Sequence, residues 1–132
     1  LFGELVVAVL SQEGKQYALP PEKRAEMLRK ITAGMPGVTV VCSTGLLVDL
    51  MAQVGADVIL RGVRDAGDVR EEMQIAQAHR MLGGYETLML PSLPELSRLS
   101  STVVRDCAAH RASLAGMVPE EIMEDIYAVY AR

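Results

Sequence analysis

Tryptophan is absent and phenylalanine occurs once, while methionine occurs eight times. A core so short of aromatic rings is expected to fill its irregular gaps with flexible thioether side chains. Cysteine is scarce as well: Cys42 and Cys107 stand far apart with no CxxC spacing, and two histidines without clustered cysteines do not compose a structural zinc site. That usage fits a reducing, cytoplasmic setting. The apolar runs fall well short of the ~20 residues of a membrane span, and the apolar segment Leu5 to Leu10 lacks the basic flank of a secretory signal. An excess of positive charge is missing too. A formal net charge of −4 argues against broad binding to nucleic acid or to anionic membranes, so an anionic ligand would be small and met by a local cluster of Lys and Arg. GxSxG, Walker A and GxGxxG motifs are absent, which removes the usual hydrolase, P-loop and dinucleotide readings.

Half of the 132 residues are hydrophobic and 23% are charged, the balance of one soluble globular domain spanning residues 1–132 with a single core. Leu5 to Leu10, Val38 to Cys42, Val58 to Leu60 and Thr87 to Leu90 are short apolar or β-branched runs that read as strands, the first and third covered on both faces. Between them lie helical patterns. Pro20-Pro21-Glu22 opens one, with Ala25, Met27, Leu28 and Ile31 inward. Leu46, Leu47, Leu50, Met51 and Val54 mark a second, capped by Ser43 or Thr44 and stopped by Gly55. Val69, Met73 and Ala76 mark the inner face of a third, which closes at Gly83-Gly84. A short helix follows Ser100 to Thr102, and Ile122, Ile126 and Tyr130 recur every four positions on a last one. Strands alternating with helices predict an α/β fold, a Rossmann-like parallel sheet flanked by helices.

In such sheets ligands bind beyond the carboxyl ends of the strands. Lys15, the pair Arg61 and Arg64, and the hydroxyls of Ser100, Ser101 and Thr102 all fall at that edge. Two guanidiniums around Gly62 can fork onto phosphate oxygens, and a serine-rich helix start can accept an anion. Spacing alone leaves the arginine pair equally open to ion pairing. It also favours an ordinary cap for the serines, were they to stand alone. Glu71 reads as part of a solvated acidic face, His79 and His110 as structural or exposed, and both cysteines as core.

Arg61-Gly-x-Arg64, Glu72-Met-Gln74 and Leu99-Ser-Ser-Thr-Val-Val-Arg105, with Gly45-Leu-Leu-Val-Asp49 and Gly116-Met-Val-Pro119, make the chain resemble bacterial phosphopantetheine adenylyltransferases of the nucleotidyltransferase superfamily. The resemblance runs from Leu1 nearly to the end. It implies transfer of the adenylyl group of ATP to 4′-phosphopantetheine, giving dephospho-coenzyme A and pyrophosphate, with Mg2+, in a homo-oligomer that is a hexamer in bacterial members. Coenzyme A is a further implied ligand. By resemblance, Lys15 contacts the reacting phosphates and Arg61 the phosphate and pantetheine site. Arg64 and Glu72 then face ATP, Leu46 and Leu47 pack near the pantetheine arm, and Ser100, Ser101 and Thr102 form the phosphate-binding turn.

The chain departs from that pattern in three places. The family's first strand and its Thr/His-x-Gly-His segment have no counterpart here, so the sequence is expected to be N-terminally incomplete, or complemented by another segment. Catalysis would then need more than these residues, and Leu5 to Leu10 and Val58 to Leu60 would lack the strand that both adjoin in the family. The loop around Lys15 reads Gln12-Glu-Gly-Lys-Gln in place of a Pro-Ser-Lys-Lys-Pro type, and Glu71 replaces a tyrosine near the adenine. A nucleotidyltransferase with another acceptor, and a non-catalytic module that binds ATP or coenzyme A, are the alternative readings.

Overall fold

A continuous aliphatic run forms a strand where a neighbour can satisfy its backbone groups, and in the computed structural model, which describes all of residues 1–132, each run finds one such neighbour. β1 (Leu5–Ser11) pairs in parallel with β2 (Val38–Thr44), from Leu5 opposite Val38 to Ser11 opposite Thr44. β3 (Val58–Val63) pairs in parallel with β4 (Glu86–Pro91), from Val58 opposite Glu86 to Val63 opposite Pro91. Parallel neighbours cannot be joined by a tight turn. The crossovers are α1 (Pro21–Thr32) and, in the second pair, α3 (Ala66–Gly83). The remaining elements are α2 (Leu47–Val54), α4 (Ser101–Ala109), a 3₁₀ turn (Glu120–Ile122) and α5 (Met123–Tyr130). The fold is α/β, with parallel strands and helical crossovers as expected. The chain divides into two compact units, Leu1–Thr44 with Leu99–Arg132, and Gly45–Arg98.

In the first unit α1 starts on Pro20 and Pro21, whose fixed φ suits a first turn and whose missing N–H groups would find no intrahelical partner there. It packs on both β1 and β2. Ala25 lies with Val9 and Val40 in one apolar cluster, and Met27 joins Ala108, Leu114, Ile122 and Ile126 in a second. Leu114 has no exposed surface. Its loop is pinned by Tyr127, whose hydroxyl accepts from Leu114 N–H at 3.2 Å and donates to the Ala112 carbonyl at 2.7 Å. The Asp125 carboxylate bridges Lys23 at 2.9 Å and Lys30 at 2.5 Å, tying α5 to α1.

In the second unit α2 ends at Gly55, whose φ of +68° few side chains tolerate. Asp65 caps α3 by accepting from Asp68 N–H, and Gly84 closes it at φ +73°. A side chain at Gly83 would meet the Tyr85 ring at 2.7 Å and Val48 at 3.0 Å, so glycine permits that approach. Val48, Leu50, Met51, Ile59 and Val63 are buried.

Several expectations need correction. The four strands form two hydrogen-bonded pairs where a single sheet is expected, so each is an edge strand; that β1 and β3 share no neighbour is what the lack of the family's first strand leads one to expect. Burial is correspondingly partial: Val9 is the one buried residue of β1, and Leu88 and Leu90 of β4 are exposed. β3 extends past Leu60 to Val63, which puts Arg61 inside the strand. β2 likewise runs on through Ser43 and Thr44, leaving Leu46 at the start of α2 with no side-chain cap. Met73 does not face a core, because no residue of α3 is buried. Cys42 and Cys107 are half-buried free thiols beside the two clusters, as read.

Truncating Leu114 to Ala is expected to destabilise the protein by about 2–5 kcal/mol, since its site is sealed on all sides; urea unfolding measures it. Lys30 and Lys23 hold the Asp125 carboxyl below its ordinary 3.8. Asp125 in turn holds the Lys23 ammonium above 10.5. A depressed carboxyl contributes stability that is present above 3.8 and lost as pH falls through the folded value; the raised lysine contribution is present below 10.5 and lost as pH rises through its own. Thermal unfolding of Asp125→Asn should therefore fall below wild type at neutral pH and converge with it in strong acid.

Candidate active site

The loop and helix that follow β3 carry the densest set of charged contacts in the Gly45–Arg98 unit. Arg61 occupies the fourth position of β3, opposite Met89, and Glu72 lies in the second turn of α3. Their side chains meet in a two-pronged pair: Nε donates to Oε2 at 2.9 Å and Nη2 to Oε1 at 2.6 Å. Glu72 holds the Arg61 guanidinium more firmly protonated than usual, against the opposing effect of partial burial. A guanidinium has five N–H donors, of which the carboxylate takes two. The other three keep a fixed direction and remain open to a second anion.

Arg64 stands one residue past β3 and is held by Asp68, which accepts from its backbone N–H at 3.0 Å, from Nε at 2.9 Å and from Nη2 at 3.3 Å. The guanidinium and the backbone N–H together draw the Asp68 carboxyl below the usual carboxylate range. Asp68 N–H in turn donates to the Asp65 cap at 2.9 Å. One helix start thus fixes the arginine, its counter-ion and the strand exit. Both arginines are ion-paired, and each keeps donors to spare. Leu46 and Leu47 open α2 in the same unit; Leu46 is 55% exposed and Leu47 half-buried.

The other predicted residues belong to the unit formed by Leu1–Thr44 and Leu99–Arg132. Ser100 caps α4, its Oγ accepting from Val103 N–H at 3.3 Å. Ser101 and Thr102 follow in the first turn with exposed side chains, and Thr102 Oγ1 accepts from Arg105 Nη2 at 3.4 Å. Their own backbone N–H groups lack intrahelical partners, as at any helix start. Lys15 lies in the loop from β1 to α1, fully on the surface and 5.7 Å from the centroid of the Tyr17 ring. The Arg24 guanidinium lies over that ring at 4.5 Å.

Sequence reading missed both counter-ions. Asp68 was legible, since it stands four residues from Arg64 and three from the Asp65 cap. The Arg61–Glu72 pair was not, because eleven residues and a strand-to-helix turn separate the partners. Tyr17 and Arg24 carried no motif. The histidines are structural or exposed, as read: His110 is exposed, with Nδ1 2.9 Å from the Asp106 carbonyl, and His79 is half-buried on α3. Burial pushes the Cys42 thiol up, with Glu22 adding to it, which disfavours a nucleophilic thiolate.

The family model described as cytidylyltransferase-like matches residues 1–107. The phosphopantetheine adenylyltransferase of Rubrobacter xylanophilus is 38% identical over 133 residues, covering 100% of this chain and 81% of its own. That of Synechocystis sp. is 39% identical over 131 residues, covering 98% and 82%. That of Prochlorococcus marinus is 38% identical over 127 residues, covering 96% and 80%. With that identity sustained across nearly its whole length, the chain belongs to the phosphopantetheine adenylyltransferase family of cytidylyltransferase-like domains.

Proposed function

We infer that the chain transfers the adenylyl group of ATP to 4′-phosphopantetheine, a step of coenzyme A biosynthesis. A phosphate oxygen of phosphopantetheine attacks the α-phosphorus of ATP, the bond to the β-phosphate oxygen breaks, and dephospho-coenzyme A and pyrophosphate result. Such a transfer needs its reactants aligned and the developing charge met, and it requires no protein nucleophile. The observation that carries the reading is the Arg61–Glu72 pair, a guanidinium anchored on one edge with three donors left for phosphate oxygens. The names of the relatives, sustained over at least 96% of this chain, supply the acceptor.

In this reading Arg61 serves the phosphate of the acceptor, while Arg64, Glu72, Ser100, Ser101 and Thr102 serve ATP. Lys15 serves the reacting phosphates, and Leu46 and Leu47 the apolar part of the pantetheine arm. The chain has no group of three His, Cys, Asp or Glu that could cage a metal ion. Magnesium is therefore proposed as a companion of the ATP phosphates, its usual mode of entry, and the residues here are left to orient and neutralise. Coenzyme A, which contains the pantetheine and adenylyl parts together, is proposed as a ligand of the same residues.

A homo-oligomer, a hexamer by resemblance, is supported by α3, an 18-residue helix on which Met73, Ile75, Met81 and Leu82 are all exposed. No helix is long and apolar enough to cross a membrane, and a cytoplasmic setting is proposed with the pathway.

The full-length protein should release pyrophosphate from ATP only when phosphopantetheine is present, and should prefer ATP to CTP. Inactivity with that pair, or turnover with CTP and another acceptor, would overturn the assignment. Arg61→Lys keeps the charge and loses the fork, and is expected to lower kcat/KM by about tenfold to a hundredfold. Glu72→Gln, which loosens the fork without touching Arg61 itself, should produce a smaller loss in the same steady-state assay.

A further inference from the structure

The segment between β1 and α1, Gln12 to Pro20, should by composition be loose. It has no proline before Pro20, and Gly14 adopts a φ of +75°. Lysine adds a flexible four-carbon stem of its own. Yet Lys15 is held. Its backbone N–H donates to the Gln12 carbonyl at 3.3 Å, which closes a turn around Gly14. Gln12 N–H donates to the Tyr17 hydroxyl at 3.2 Å, which ties that turn to the ring. The ring lies 4.5 Å from the Arg24 guanidinium carbon and 5.7 Å from Lys15 Nζ.

Arg24 gives this arrangement its foothold. It is the fourth residue of α1, and its neighbour Ala25 is wholly buried between Val9 and Val40. Arg24 Nε and Nη2 are buried without a hydrogen-bond partner, and the guanidinium lies over the face of the Tyr17 ring. Neither Arg24 nor Lys15 is paired with a carboxylate, in contrast to Arg61 and Arg64. The difference has a chemical meaning. A carboxylate would hold an ammonium in place but compete for it with any incoming phosphate. The negative face of an aromatic ring attracts it without supplying a full charge to compete with the phosphate.

We propose that Tyr17 is a positioning residue that sets Lys15 for the reacting phosphates, using Arg24 as its anchor on α1. The proposal rests on the adenylyl-transfer reading and on the place of Lys15 in it. The ring supplies the rigidity that prolines would give a loop of this length. It acts through Lys15 alone.

A double-mutant cycle in the full-length protein tests this with Lys15→Met, Tyr17→Leu, Tyr17→Phe and the pair Lys15→Met/Tyr17→Leu. Tyr17→Leu should lower kcat by about tenfold or more, with KM for both substrates little changed, because a misplaced catalytic group costs the transition state more than it costs binding. Tyr17→Phe keeps the ring face and loses only the hydroxyl that takes Gln12 N–H, and should therefore lower kcat less than Tyr17→Leu does. In the Lys15→Met background Tyr17→Leu should have no further effect. Additive losses, or an unchanged kcat in Tyr17→Leu beside a lowered one in Lys15→Met, would overturn the role of Tyr17 and leave that of Lys15 standing. An unchanged kcat in Lys15→Met would remove the role of Lys15, and the proposal with it. A second measurement needs neither turnover nor the Leu variant. The Lys15 ε-methylene resonance, assigned by its loss in Lys15→Met, should be displaced upfield by the ring in the wild-type protein and in Tyr17→Phe; a random-coil shift there would also overturn the proposal.

Discussion

Parallel pairing is the constraint on which the rest of this structure depends. Two strands running the same way cannot be closed by a hairpin, so the chain must leave the carboxyl end of one, cross back as a helix and re-enter at the start of the next. β1, α1 and β2 do this in one unit, and β3, α3 and β4 in the other. Each crossover therefore begins in a loop just past a strand's carboxyl end, and there the chain can spend polar residues that a strand interior would not accept. Lys15 follows β1 and Arg64 follows β3 for that reason.

The same constraint explains why the helix starts carry so many of the charge contacts. The first turn of α3 has N–H groups without intrahelical partners, and Asp65 answers one of them through Asp68 N–H. Asp68 is then fixed at the positive end of the helix, where a carboxylate is stabilised, and it can hold Arg64 by the backbone and by the side chain at once. A second carboxylate, Glu72, comes one turn later and reaches back to the strand itself. The result is two arginines whose directions are set by the chain itself, as the proposed role in phosphate binding would favour.

How much of this was legible depended on the range of the interaction. Strand and helix positions followed from local pattern, because an apolar run or a proline pair states its preference within a few residues. The edges moved where tertiary pairing overrode local polarity: Ser43, Thr44 and Arg61 are polar, yet they lie in strands because β1 and β4 offer their backbones partners. The depth of burial was overestimated for the same runs, since an aliphatic strand with one neighbour leaves part of its surface open. The cations were legible as residues, whereas what holds them was not. A carboxylate eleven residues from its arginine, or a tyrosine beneath two cations, forms no spacing that a sequence pattern can register.

That contrast bears on how the chemistry is divided among the cations. Arg61 and Arg64 are paired with acids, which reduces their net charge but fixes their geometry, and a guanidinium retains enough N–H groups to serve two anions together. Lysine cannot do this as well, because its charge sits at one point and a carboxylate there would occupy it. A carboxylate suits a residue whose worth is directed hydrogen bonds, whereas a ring suits one whose worth is an uncompensated charge. Both kinds of hold occur here, each beside the residue type that it suits. Were the cations to serve the phosphates as proposed, fixed donors would suit what keeps its charge throughout the transfer, and an uncompensated ammonium would suit charge that appears only as the bond breaks.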